Sequence, residues 1–376
     1  MRIAILTLPF HANYGGIMQA YALQTVLKRL GHEVVVLDRD MFHHRTWIRQ
    51  QVALGAFLFR RYILRRDVTY DNFWQLDKDK RAIEKEVRTF VEKHLNTIIV
   101  KDLQSEFPND VDAVVVGSDQ VWRPKYFNWA YNCNIDSAFL SFLLDNSIKK
   151  AAYAASFGTA DWEYSQEETI CCSRLIQAFD AVSVREYSAL NLCEEKLGRK
   201  DVCRMPDPAL LLAQEDYRSI CNSYREVNRY LLYYVLDESD EIMSAAESIA
   251  KERGLIVKQI KGDADNPHLP LAERIKAPVE EWLGSVINAD FVFTDSFHAC
   301  VFSILFKIPF VVLGNSGRGM DRFTSLLKTY DLEKNFISSI HQYRPGMDCS
   351  VPSDVDVIVE QERRRAIAFL NKHLVS

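Results

Sequence analysis

Phe291-Val-Phe-Thr-Asp-Ser-Phe-His298-Ala-Cys-Val-Phe-Ser-Ile-Leu-Phe306, continuing as Lys307-Ile-Pro-Phe-Val-Val-Leu313-Gly-Asn-Ser-Gly-Arg-Gly-Met-Asp-Arg322-Phe-Thr-Ser-Leu-Leu327, decides how the chain is read. Two apolar runs, Phe291–Phe293 and Phe310–Leu313, flank a helix-length segment, and nearly every polar group lies in the loops that follow the runs. That pattern is a β-α-β unit with its chemistry at one end. In an open parallel sheet, ligands bind beyond the carboxyl ends of the strands, so Thr294–His298 and Gly314–Arg322 mark the candidate site.

Working outward, the same alternation fills the second half of the chain. Tyr230–Leu236 reads as a strand, Glu241–Arg253 as a helix, Leu255–Ile260 as a strand and Val279–Ala289 as a helix leading into Phe291. The first half opens the same way: Arg2–Leu8 as a buried strand, Tyr14–Leu30 as a helix and Glu33–Asp38 as a second strand. Pro206-Asp-Pro208 breaks the pattern. The expected organisation is therefore α/β with two domains, residues 1–210 and 228–350. A helical insertion lies near 42–100, and a last helix within 351–376 packs back across the first domain.

A chain of 376 residues, 48% hydrophobic and 26% charged, suits two cores better than one. Its net charge of −5 offers no broad basic field, which argues against nucleic acid as a partner. The eight cysteines make no Cys-x-x-Cys pair, and free thiols fit a reducing cytosol. No apolar run reaches the roughly 20 residues of a membrane helix. The expected location is cytoplasmic, with the inner face of the membrane open to the protein. The stretch Arg45–Arg66 mixes arginine with aromatic residues; it reads as a solvated charged helix face, or as one laid against an anionic membrane or an acceptor's diphosphate.

Other strand ends carry polar groups. After the first strand comes Asn13-Tyr-Gly15-Gly16, where glycine lets a backbone approach a ligand and a helix start offers N–H groups to an anion. Asp112-Ala-Val-Val-Val-Gly117-Ser118-Asp119-Gln120-Val-Trp122 is a core strand ending in a polar turn: Asp119 suits proton acceptance or turn capping, and Trp122 suits a sugar-stacking face or core packing. Ala181–Val184 ends at Arg185, placed either for a carboxylate or phosphate or for a pair with Glu186. His298 opens a helix whose dipole disfavours imidazolium unless an anion offsets it. Gly314-Asn-Ser-Gly-Arg318-Gly, with Arg322 beyond it, suits an oxyanion, and it has no Walker lysine.

Taken together these segments resemble the polysaccharide pyruvyl transferase family: Asn13–Gln24, Gly117–Trp122, Ala154–Gly158, Val182–Glu186, Asp207-Pro208, Thr294–His298, and Arg322-Phe323 with Ser325–Leu327. The resemblance implies two Rossmann-like domains facing across a cleft, as in GT-B glycosyltransferases. It also implies transfer of pyruvate from phosphoenolpyruvate onto two hydroxyls of a sugar as a cyclic ketal. Phosphoenolpyruvate is then the donor substrate and no cofactor or metal is expected. The acceptor is a sugar, including one carried on a lipid diphosphate, and the setting is capsule or exopolysaccharide biosynthesis. Under this reading His298 is the general acid and Asp119 or Asp295 the base. Arg185 with Arg318 or Arg322 is the anion clamp, and Asn13, Gly15, Gly16, Ser118, Trp122 and Ser296 line the substrates. Ser296 stands where other branches of the family carry arginine, which moves that anchor to Arg318 or Arg322. Two other readings remain: a GT-B glycosyltransferase using a nucleotide sugar, and a non-catalytic sugar-binding member of an assembly complex.

Overall fold

The computed structural model describes residues 1–42, 47–65, 72–143, 147–221, 224, 228–261, 264, 266, 269–315, 317 and 319–374. Two parallel sheets organise them. The first contains β1 (Arg2–Leu6), β2 (Glu33–Arg39), β3 (Thr97–Val100), β4 (Ala113–Val116), β5 (Lys149–Ala155), β6 (Ala181–Val184) and β7 (Val202–Arg204), in the spatial order β3-β2-β1-β4-β5-β6-β7. The second contains β8 (Tyr230–Tyr234), β9 (Ile256–Gln259), β10 (Phe291–Thr294), β11 (Phe310–Leu313) and β12 (Phe336–Ile337), in the order β12-β11-β10-β8-β9. Each sheet reverses its strand order once, between β1 and β4 and between β8 and β10. Those reversals are the topological switch points at which such sheets bind ligands.

Helices cover the sheets in the order α1 (Tyr14–Arg29), α2 (Trp47–Leu58), α3 (Phe73–His94), α4 (Pro124–Tyr131), α5 (Gln166–Ile176) and α6 (Tyr187–Glu195). Next, α7 (Gln214–Ile220) leads across to α8 (Asp240–Glu252), α9 (Leu271–Arg274), α10 (Val279–Ile287), α11 (Phe297–Phe306) and α12 (Asp321–Thr329), and α13 (Val355–His373) ends the chain. Three strands fall outside the sequence expectation. β3 occupies the last residues of the stretch read as a helical insertion, and β7 and β12 are only three and two residues long, too short to carry a pattern.

Local chemistry explains where helices start. Asn13 caps α1 by accepting from the Gly16 N–H at 3.2 Å. At α5, Ser165 and Glu168 form a reciprocal capping box. Helix α11 is different, because every residue from Phe297 to Phe306 is buried. It is apolar all round, as a helix enclosed by protein must be, and so shows no amphipathic period.

One continuous apolar cluster runs from Ile3 and Leu23 of the first domain to Trp282, Val292 and Phe302 of the second. Two further clusters fill the outer faces of the sheets. Polar ties reinforce the shared layer. Lys276 donates its N–H to the Ile83 carbonyl at 3.1 Å, and Tyr14 Oη donates to the Ala277 carbonyl at 2.8 Å. Helix α13 returns to the first domain, where Arg363 donates to the Leu210 and Leu212 carbonyls and Arg204 pairs with Glu362.

The loops after β5 and β11 meet at one point. A Cβ on Gly319, whose φ is 87°, would sit 1.7 Å from the Gly158 carbonyl oxygen. Gly319→Ala is expected to destabilise the protein by roughly 1–3 kcal/mol, because backbone meets backbone there. Gly254→Ala separates the causes: its φ is 65° but a Cβ there meets nothing within 4 Å. Thermal unfolding of the two variants should show the larger loss at Gly319.

Candidate active site

The two switch points face each other across a cavity of about 420 Å³. The first domain contributes Leu8 and His11–Asn13 after β1 and Asp119 and Gln120 after β4, while the second contributes Leu236 after β8 and Asp295–His298 after β10. Arg322, in the first turn of α12, completes the wall, and Lys125, Tyr126 and Trp129 of α4 stand on the first-domain side.

Beneath this wall lies a buried network. Asp207, at the carboxyl end of β7, accepts from Arg185 Nη1 at 2.8 Å and from Ser118 Oγ at 3.3 Å through Oδ2, and from the Ala209 N–H at 3.0 Å through Oδ1. His298 Nε2 lies 3.5 Å from the same Oδ2. Arg185 Nη2 is 3.8 Å from Asp119 Oδ1, and Asn13 Nδ2 donates to Asp119 Oδ2 at 3.2 Å. Burial pushes the Asp207 carboxyl up, but His298, Arg185 and the Ala209 N–H outweigh it and hold the group well below the ordinary carboxylate range.

Two guanidiniums share one aromatic ring. Arg185 lies 4.3 Å and Arg322 5.4 Å from the centroid of Phe297. Burial and then the neighbouring Arg185 lower Arg322 to about 10, so it remains cationic at neutral pH, and an anion beside the two guanidiniums relieves their repulsion. Among the described residues, nothing accepts a hydrogen bond from Arg185 Nε or Nη2. That edge of the fork is the one that grips an oxyanion with two parallel bonds.

Asp119 has φ of 69°, a left-handed conformation uncommon outside glycine. Such strain gathers at functional sites, where the surroundings fix it. Gly15 has a specific reason for lacking a side chain: a Cβ there would stand 1.9 Å from His298 Nδ1. The room that the sequence reading reserved for a ligand is occupied by the imidazole. Gly16 is tight against Asn13 and Asp119 in the same way.

Not every expected residue reaches the cavity. Trp122 is fully buried, stacks on Phe139 at 4.8 Å and donates Nε1–H to the Ala138 carbonyl. It is core, since the β4 turn points it away from the cleft. Asp295 lines the cavity, but its oxygens accept the Leu236 and Asp237 N–H groups at 2.7 and 3.2 Å, which fixes the end of β8. Ser296 lines the cavity beside Phe297, whereas Arg185 and Ser118 sit behind the wall. Arg185 pairs with Asp207 rather than with Glu186, whose Oε1 accepts from Ser156 Oγ and the Phe157 and Gly158 N–H groups. Arg318 lies outside the described residues.

Sequence reasoning passed over two participants. Asp207 was visible as the acid of an Asp-Pro break, but β7, which delivers it, was too short to see. Trp129, 63% exposed with its ring 6.2 Å from His11, is the aromatic face at the cavity that Trp122 is not. Among the described residues there is no His, Cys, Asp and Glu cluster suited to a metal ion, and no helix is long and apolar enough to cross a membrane.

Asp207→Asn tests the network. Leaving Arg185 half-paired in a buried site should cost on the order of 3 kcal/mol near neutral pH. A carboxyl whose folded value is depressed stabilises above its unfolded value, near 4, and loses that contribution as pH falls towards the folded one. The difference in melting temperature between the parent and Asp207→Asn should therefore be largest above about pH 5 and shrink below about pH 4.

The profile of the family described as polysaccharide pyruvyl transferase matches residues 13–317. No curated protein matches the sequence. Among solved structures, the UDP-GlcNAc 2-epimerase from Methanocaldococcus jannaschii is similar at 11% identity over 99% of this chain and 100% of that one, with a TM-score of 0.48. The S. aureus MnaA–UDP co-structure gives 14% over 98% and 97%, with a TM-score of 0.43. A glycosyltransferase from Rickettsia africae ESF-5 gives 12% over 99% and 93%, with a TM-score of 0.42. The sheets, their facing switch points and the match over most of the chain lead to one assignment: the chain belongs to the polysaccharide pyruvyl transferase family.

Proposed function

We propose that the protein moves pyruvate from phosphoenolpyruvate onto two hydroxyls of one sugar, forming a cyclic ketal during cell-surface polysaccharide biosynthesis in the cytoplasm. The observation that carries this reading is the convergence of Arg322, His298 and Asp119 on one cavity where two switch points face each other. A transferase of this family acts on a sugar acceptor; the donor is argued from the site.

Phosphoenolpyruvate brings a carboxylate and a phosphate, and the cavity wall supplies the cation to meet them. Arg322 beside Phe297 takes the place of the family arginine missing at Ser296, with the Nε/Nη2 edge of Arg185 behind it. With His298 Nε2 turned towards Asp207, Nδ1 is the nitrogen that passes a proton to the methylene carbon. A sugar hydroxyl attacks the adjacent carbon and gives its proton to Asp119, since the oxygens of Asp295 hold backbone. The carbon–oxygen bond to phosphate then breaks, phosphate leaves with the bonding pair and takes up the proton held by Asp119, and the second hydroxyl closes the ring as its proton restores His298. One diol and one phosphoenolpyruvate thus give one ketal and one phosphate.

Thermal unfolding with phosphoenolpyruvate, compared with a panel of nucleotide sugars, tests the donor, because a ligand of the native state raises the midpoint by mass action. Phosphoenolpyruvate should raise it in the parent and in His298→Ala but not in Arg322→Ala. Phosphate release with acceptor should fall by roughly two to four powers of ten in His298→Ala and Asp119→Asn. A midpoint raised only by a nucleotide sugar would falsify pyruvyl transfer and point to glycosyl transfer. No phosphate release with any acceptor would leave a binding protein.

Trp129 gives the acceptor an aromatic face. Trp129→Ala should raise the acceptor KM roughly threefold to tenfold while the phosphoenolpyruvate-induced shift stays unchanged, and Trp129→Phe should recover most of the loss. Steady-state kinetics with acceptor varied at saturating donor reads the effect.

A further inference from the structure

Helix α2 continues into a π-helical turn, Phe59–Ile63, as a single rod on the insertion between β2 and β3. Its outward side is apolar: Ile48, Val52 and Ile63 are each 67% exposed, Phe59 54% and Tyr62 68%. Ile48, Val52, Phe59 and Ile63 follow one another at spacings of four, seven and four, which sets them on one face. The opposite side, with Ala53, Leu54 and Phe57, is half-buried. A stripe of this size turned to water is not explained by the fold beneath it.

The charges around the stripe identify what covers it. From Trp47 to Arg65 the chain carries Arg49, Arg60, Arg61 and Arg65 and no acidic residue, although the whole protein has 51 acids against 46 bases. Arginine is the only charged residue type on this rod, with Arg49 and Arg60 following stripe residues directly in sequence and Arg61 lying over the ring of Phe57 on the other side. A second copy meeting this face across a two-fold axis would set arginine against arginine. An anionic lipid surface accepts both parts: side chains such as Phe59 and Ile63 enter the acyl boundary while guanidiniums meet headgroups. We propose that α2 and its π-helical extension bind the surface of an anionic bilayer, lying in its plane.

The topology gives that contact a use. The insertion leaves the carboxyl end of β2, next to β1, whose own carboxyl-end loop lines the cavity. A bilayer held by α2 on that side of the sheet would bring a lipid-borne acceptor's sugar towards the cavity. The membrane contact itself does not rest on pyruvyl transfer, and its test contains neither donor nor acceptor.

The test is flotation of the full-length protein with vesicles of phosphatidylcholine alone and of equal parts phosphatidylcholine and phosphatidylglycerol. The protein should float with the anionic vesicles, weakly with the neutral ones, and less as salt rises. Arg60→Gln with Arg61→Gln should weaken binding roughly tenfold or more. Phe59→Ser with Ile63→Ser should abolish it while the circular dichroism and melting temperature stay at parent values, since both side chains are exposed. No flotation of the parent, or flotation undiminished in both double variants, overturns the proposal. So does a parent dimer by light scattering that becomes monomeric in Phe59→Ser with Ile63→Ser and does not float.

Discussion

The buried carboxylate of Asp207 is the tie on which the site depends. It stands just beyond the first sheet's last strand in sequence, receives Arg185 from the end of the neighbouring strand and faces His298 from the other domain. A charge so deep is tolerated only when several donors surround it, and here Ser118 and the Ala209 N–H join Arg185 and His298. One anion therefore sets the rotamer of Arg185 and the ring of His298 together. Through Arg185 its influence reaches Asp119, and through Asn13 it reaches the start of α1. Domain closure and site geometry are one constraint, because the network crosses the interface that the shared apolar cluster seals.

Much of this architecture was legible in the chain. Four-residue apolar runs such as Ala113–Val116 and Phe310–Leu313 are buried on both faces of parallel sheets, and polar residues directly after them identify the strand ends. The facing of two such sheets was carried by resemblance rather than by period. Helix α11 explains part of the difference: it is enclosed on every side, so no hydrophobic face distinguishes it from a long strand run, and only its length and its polar entry at Thr294–Ser296 marked it as a helix.

The site was legible in its strand-end residues and opaque wherever a role depends on packing across the cleft. His298, Asp119, Arg322 and Asn13 announce themselves by position, and the structure brings them to one cavity or its edge. Trp122 and Trp129 are chemically identical in sequence. One is aimed into the core against Phe139 and the other into solvent beside His11, a difference of rotation about a turn and a short helix that no spacing records. Asp295 is similar: a carboxylate beside a histidine looks catalytic until the backbone N–H groups that follow β8 are seen to occupy its oxygens. Gly15 was readable as a close approach, though what approaches is the imidazole from the other domain.

These details share a physical logic. The cavity is built where both sheets reverse direction, so its walls come from loops that diverge and leave room without distorting any strand. Room alone would fill with water and leave charged groups free to choose partners. The ring of Phe297 prevents that by carrying Arg185 and Arg322 side by side, close enough that burial and mutual repulsion lower Arg322 to about 10. An uncharged aromatic ring thus sets the spacing of the two guanidiniums as much as the arginines themselves do.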